Sequence, residues 1–280
     1  MSAVRLLAAA LGVLLIATPG RCGAAGAPAG AGDQIRKLGD EYLARRLEGS
    51  PDAATRLGVH DTDHLLLPAR PVPATEAAAW TLAFLARLDA VPRQGLSPER
   101  EAERALLAAV AGRDLVGIEV LRPRERDPGW WARLVSDAID AVLDRQGVSS
   151  CGRVRLAVRR LERVPDALRA ARIELRDPPR VLTEEAIVRF EAVLRFYRET
   201  VPALAAGCRS ALMQADLAQA DTAAVRAVEG FIAYLREDLL PVSNGALAIG
   251  PEGCRRLLES ELLVEVAPIE TLLVAEGRAL

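Results

Sequence analysis

The chain has 280 residues, with 36 lysines and arginines against 38 aspartates and glutamates and a formal charge of −2 at neutral pH. That length supports one large or two small domains with a real core. A pI near 5.9 and an aromatic content of 4% provide neither a basic face for a phosphate backbone nor platforms for stacked bases, so nucleic acid is excluded as an expected partner.

In chain order, Arg5 supplies a positive start, Leu6 to Ala17 form an apolar run, and small residues follow. This pattern predicts an export signal over residues 1–27, cut after Ala25 or Ala27, and a periplasmic or secreted mature protein. The run is too short for a bilayer span, so no membrane span is expected once the signal is removed. Arg21 stands before Cys22, where a lipid-attachment signal has a small residue, and lipidation is not expected. Residues 28–32 read as a flexible lead-in, and 33–280 as a single helical domain.

Asp33 is the expected cap of a helix with Ile35, Leu38, Tyr42 and Leu47 on one face, stopped at Gly49-Ser50-Pro51. A short helical piece, 52–57, ends at Gly58. Thr75 is the expected cap of a helix whose Trp80, Phe84, Leu88 and Val91 are placed in the core. Ser97-Pro98 reads as a cap followed by proline at the first helical position. In 114–121 the alternation of Val116, Ile118 and Val120 suggests one side of a short strand, and 122–129 a charged loop. Helical periodicity resumes over 130–145. From Leu156 through Leu161, Val164, Leu168 and Ala171 to Leu175 one apolar face continues across Pro165, where the helix should kink or restart. Further helices are expected from Thr183 to about Arg198 and from about Asp221 to Leu239. Residues 241–250 read as a loop entering a short extended segment. The fold expected is therefore mainly α, helix packed on helix, with at most one or two short strands.

After signal removal Cys151, Cys208 and Cys254 remain. They lack the close pairs of a structural zinc site and read as small buried apolar side chains, with one bridge as the alternative in an oxidising compartment. The only histidines fall in His60-Asp61-Thr62-Asp63-His64. Their i, i+4 spacing makes His60, Asp61, Asp63 and His64 candidate metal ligands in a loop, with a polar turn as the bland reading. Ser149-Ser150-Cys151 shows no histidine nearby in sequence. Glu184 with Glu185, and Glu237 with Asp238, are adjacent on helices and point apart, which suits solvated or capping roles better than acid–base pairing.

The segment from Arg153 to Ile187 resembles the signature of the bacterial domain-of-unknown-function family 885. The resemblance is carried by Arg160-Leu161, Val164-Pro165, Leu168, Ala171-Arg172, Leu175, Pro178 and Thr183-Glu184-x-Ala186-Ile187. Asp127-Pro128, Leu143-x-Arg145 and Ala54-Thr55-Arg56-Leu57-Gly58 extend it. The family is regarded as exported and distantly related to zinc peptidases of the carboxypeptidase Taq type. The resemblance implies a zincin-like helical fold with zinc on a helix carrying HExxH, where two histidines one turn apart face the metal and the glutamate activates water. HDTDH has aspartate at the glutamate position and poor helix formers around it. The chain therefore resembles a leading half, an incomplete lobe, with the apolar face of Ile269, Leu272, Leu273 and Leu280 left uncovered. It is expected to have no catalytic residues of its own and no zinc unless a second half, separately encoded, supplies it. The alternative is a stand-alone periplasmic module that binds peptides or a protein partner.

Overall fold

The computed structural model describes residues 30–66 and 72–262. The leader, the lead-in up to residue 29 and the 269–280 apolar face lie outside the described residues. Among those described the secondary structure is helical, with no strand. Helix α1 spans Ala31–Gly49, α2 Pro51–Arg56, α3 Ala74–Asp89 and α4 Pro98–Val116; a π-helical turn follows at Gly117–Leu121. Then come α5 (Pro123–Arg126), α6 (Pro128–Leu143), α7 (Ser150–Leu161), α8 (Val164–Glu174) and α9 (Arg180–Glu199). A 3-10 segment (Val201–Gly207) leads to α10 (Ala211–Tyr234), a second π turn (Leu235–Leu239), a 3-10 turn (Leu240–Val242) and α11 (Gly250–Leu262).

Local chemistry explains most boundaries. The Ser97 hydroxyl accepts from the Arg100 amide and Pro98 follows at the first helical position. Asp127, Ser149 and Ser210 cap α6, α7 and α10 in the same way. Proline restarts the chain at Pro165: α7 ends at Leu161, and α8 begins at Val164 with proline in its first turn, where a missing amide costs nothing.

Other boundaries differ from expectation. Residues 114–121 form no strand; α4 continues to Val116 and runs into the π turn, since its Val, Ile and Leu side chains pack as readily from a helix as from a strand. Within 122–129, Pro123–Arg126 makes a helical turn, and 241–250 contains a 3-10 turn without extended pairing. The expected caps Asp33 and Thr75, and the expected helix start at Thr183, lie inside α1, α3 and α9, which start earlier, after Gly30, Pro73 and Pro179. Helix α10 begins ten residues before Asp221, at Ala211, because Ser210 caps it there.

Two hydrophobic clusters hold the helices together. The larger is built from α6 to α10 and centres on Trp131, Phe190, Tyr197, Leu217 and Phe231, all at most 1% exposed. The Phe190 and Phe231 rings lie 4.8 Å apart. The smaller joins α1, α3 and α4 through Ile35, Tyr42, Phe84, Leu88 and Val91, with Tyr42 and Phe84 rings 4.6 Å apart and Trp80 half-buried against them.

Cys151 and Cys208 are joined as a disulfide, linking the first turn of α7 to the exit of the 3-10 segment across 57 residues. This corrects the reading of three apolar thiols; among the described residues only Cys254 is free, and it is half-buried. Beside the bridge the chain is tightly packed: a Cβ on Gly207 would lie 2.7 Å from the Ser150 hydroxyl.

Candidate functional site

The HDTDH string forms a turn after α2. The Val59 amide donates to the Ala54 carbonyl and the Asp63 amide to the His60 carbonyl, and buried Leu66 anchors the exit. In this turn Asp63 points inward, while His60, Asp61 and His64 are exposed. One Asp63 oxygen accepts from Thr55 Oγ1 at 2.7 Å and the other from Arg145 Nε at 2.9 Å; His60 Nδ1 approaches both at 3.2–3.3 Å. Burial works to raise this carboxyl's pKa, but the bonds from Arg145, Thr55 and His60 outweigh it and hold it below the usual range.

Arg160 of α7, fully buried, closes the node. Its Nε donates to the Asp63 carbonyl at 2.8 Å, and Nη2 donates to Thr55 Oγ1 at 2.7 Å and to the Pro51 carbonyl at 3.4 Å; Nη1 donates to the Ala138 carbonyl. Burial lowers its pKa to about 10, against the pull of Asp63 and Asp52, so it remains a cation at neutral pH. One guanidinium thus ties α2, the HDTDH turn and α6 to α7. The four candidate metal ligands are not assembled for a metal: Asp63 is already engaged by Arg145 and Thr55, and Asp61 and His64 face outward. Among the described residues no three of His, Cys, Asp and Glu gather as a metal site. As placed, these four residues do not supply the three protein ligands and open position of a catalytic zinc site.

Of the remaining catalytic candidates, Cys151, Glu184 and Glu185 are engaged elsewhere, and Glu237 and Asp238 are exposed in the second π turn. The Cys151 sulfur is bonded to Cys208 and is no nucleophile in this state. Glu184 pairs with Arg180 and Glu185 with Arg189, both at the surface.

A groove that the sequence did not suggest runs between the first π turn and the start of α11, with a volume of about 350 Å³. Arg122, Arg126 and Arg256 line it together with Glu119, Val120 and Ile249. Several features shape its walls. Arg122 adopts a left-handed backbone, φ 43°, at the end of the π turn. Such a conformation costs about 1–3 kcal/mol in a residue with a side chain, and π turns recur at functional sites. Arg126 donates to the Ala246 carbonyl, and Arg256 pairs with Glu119 at 2.7 Å. Gly253 lets α11 approach closely: a Cβ there would lie 2.9 Å from Val120 Cγ1. Within α5, Arg124 grips Glu174 by two bonds of 2.6 and 2.7 Å while its guanidinium lies against the rings of Trp130 and Trp131. The alternation of Val116, Ile118 and Val120 concealed the groove, because the π turn looks like a strand in sequence.

A family model for bacterial proteins of unknown function (DUF885) matches residues 51–277, most of the chain. The chain belongs to this family. The matched region of this DUF885 protein contains both the Arg160–Asp63 node and the groove. Its backbone is similar to a solved structure of a candidate lipoprotein of unknown function from Shewanella oneidensis, with a TM-score of 0.74 and 17% identity. The likeness covers 87% of this chain and 46% of that one, so the chain spans somewhat under half of that protein's length. At this identity it is a likeness of fold. No curated protein matches.

Proposed function

We propose that this DUF885 protein is an exported helical lobe, related at a distance to zinc peptidases, that does no peptide hydrolysis by itself and works with a second lobe carrying the metal ligands. The observation that carries the reading is the lopsided match, in which nearly all of this chain corresponds to less than half of a solved structure of the same fold. The chemistry of the described residues agrees with it. The two histidines sit in a turn whose central carboxylate is spent on Arg145 and Thr55, so binding zinc there would take that carboxylate from the half-buried Arg145 guanidinium. Export is supported by the apolar leader in the sequence, by the Cys151–Cys208 bridge, which belongs to an oxidising compartment, and by the description of the Shewanella relative as a candidate lipoprotein. Among the described residues no helix is long and apolar enough to cross a membrane.

Metal analysis and peptidase assays on the purified chain test the reading. We expect no stoichiometric zinc after dialysis and no hydrolysis of unstructured peptides. About one zinc per chain, lost in a His60→Ala, His64→Ala double variant, would overturn it. The second lobe is tested in the genome: a reading frame encoding HExxH beside this one supports a split arrangement, and unrelated neighbouring sequence counts against it. Peptide mapping of the cell envelope should find a new amino terminus between Gly23 and Asp33; recovery of intact protein from the cytoplasm would remove the export claim.

A further inference from the structure

We propose that the groove between the first π turn and α11 binds a small ligand through a carboxylate set beside an apolar group, with Arg126 as the anchoring cation. The inference stands apart from the two-lobe reading, because every lining residue belongs to this chain.

Charge accounting within the groove comes first. Arg122 pairs with Glu125 at 3.4 Å and Arg256 with Glu119, while Glu252 on the rim is held by Arg255 at 2.5 Å. Arg126 has no carboxylate partner among the described residues; its one bond goes to the Ala246 carbonyl. A guanidinium offers five N–H donors in a planar fork, so most of Arg126 remains available to an acceptor of matching shape. The groove therefore carries one unneutralised charge and the geometry to grip two oxygens.

Shape and residue type then narrow the ligand. Val120 and Ile249 form an apolar wall beside the arginines, and 350 Å³ is at the small end of ligand sites. Glu119 and Glu252 line the same space, so a dianion is repelled about twice as strongly as a monoanion. A carboxylate with a neighbouring aliphatic group suits this arrangement better than a phosphate. The local backbone is also held in place: the left-handed Arg122, the close approach at Gly253 and the Arg126–Ala246 tie fix the walls before any ligand arrives. Preformed walls reduce the ordering cost of binding.

The test is calorimetric titration of the intact protein with N-acetyl-leucine, N-acetyl-leucinamide and inorganic phosphate. N-acetyl-leucine should bind, and the uncharged amide should bind at least about tenfold more weakly, since only the anion engages Arg126. Inorganic phosphate should bind more weakly than the carboxylate. Arg126→Gln should lower N-acetyl-leucine affinity about tenfold. Ala248→Glu adds a carboxylate to an exposed lining position without touching the Arg126–Ala246 bond, and should abolish binding with an unchanged melting temperature. If Arg126→Gln fails to fold, the Ala248→Glu variant still decides. Absence of binding, equal binding of the amide, tighter binding of phosphate, or unchanged affinity in Ala248→Glu would each overturn the proposal.

Discussion

Arg160 shows how much one side chain can organise. It lies in the apolar stripe of α7, yet its donors meet the carbonyls of Asp63, Ala138 and Pro51 and the hydroxyl of Thr55. Arg160→Met keeps the volume of the stem and strands those acceptors without water. Each buried unsatisfied group costs about 1–3 kcal/mol, so the variant should lose about 3 kcal/mol or more of stability, read from the urea midpoint. A loss within a few tenths of the wild type would show that water enters the node and replaces the guanidinium. Asp221 of α10 presents the opposite case. It is 9% exposed, and its Oδ1 is buried with no hydrogen-bond partner. Burial raises its pKa to about 6. Because the folded state then binds the proton more tightly than the unfolded state, its favourable contribution is complete in acid and is lost as pH rises from the ordinary carboxylate range through about 6. Asp221→Asn should therefore raise stability at neutral pH by about 1–3 kcal/mol and remove that fall from the pH profile. A parallel pair of profiles for wild type and variant would mean that the carboxylate has a partner in solution.

Between elements, the disulfide and the turns carry the arrangement. The bridge closes a 57-residue separation that spans α8, α9 and the 3-10 segment. A loop of that size gives a chain-entropy contribution of about 4 kcal/mol. Reduction, or a Cys151→Ser, Cys208→Ser double change, should lower the melting temperature markedly, whereas Cys254→Ser should leave it almost unchanged. Equal behaviour of reduced and oxidised protein would argue that the thiols are unpaired in the cell. Close backbone contact sets the turn before α9 in a similar way. Asp177 has a left-handed backbone, φ 49°, and a Cβ on Gly245 would fall 1.9 Å from its carbonyl oxygen. Only glycine at position 245 allows the 240s segment to lie there, where Thr183 and Ser243 share a buried hydrogen bond of 2.9 Å. Spacing in the sequence identified neither contact, since each joins residues about sixty or more positions apart.

At the scale of the molecule, two cores of unequal size predict unequal local stability. The larger cluster joins α6 through α10, while α1 and α3 depend on the smaller one with α4. Native-state hydrogen exchange should leave amides of α6, α7, α9 and α10 protected longest and open α1 and α3 first. Uniform protection across both clusters would show that they unfold as one cooperative unit.

Much of this organisation follows from sequence-local rules. Apolar residues at three- and four-residue spacing place the helices, Ser97 and Pro98 start α4, and Pro165 restarts the chain between α7 and α8; these effects act within one or two turns. The order of motifs likewise carries the family. What the tertiary structure decided are the meetings of distant polar groups. Asp63 faces Arg145 and Arg160, Cys151 reaches Cys208, and Arg126 reaches Ala246. These partners lie between 57 and 120 positions apart in sequence, and packing of the apolar faces brings them together. The same string of residues can serve as a metal loop or a structural turn, and the difference rests on which partners the fold sets opposite its central aspartate.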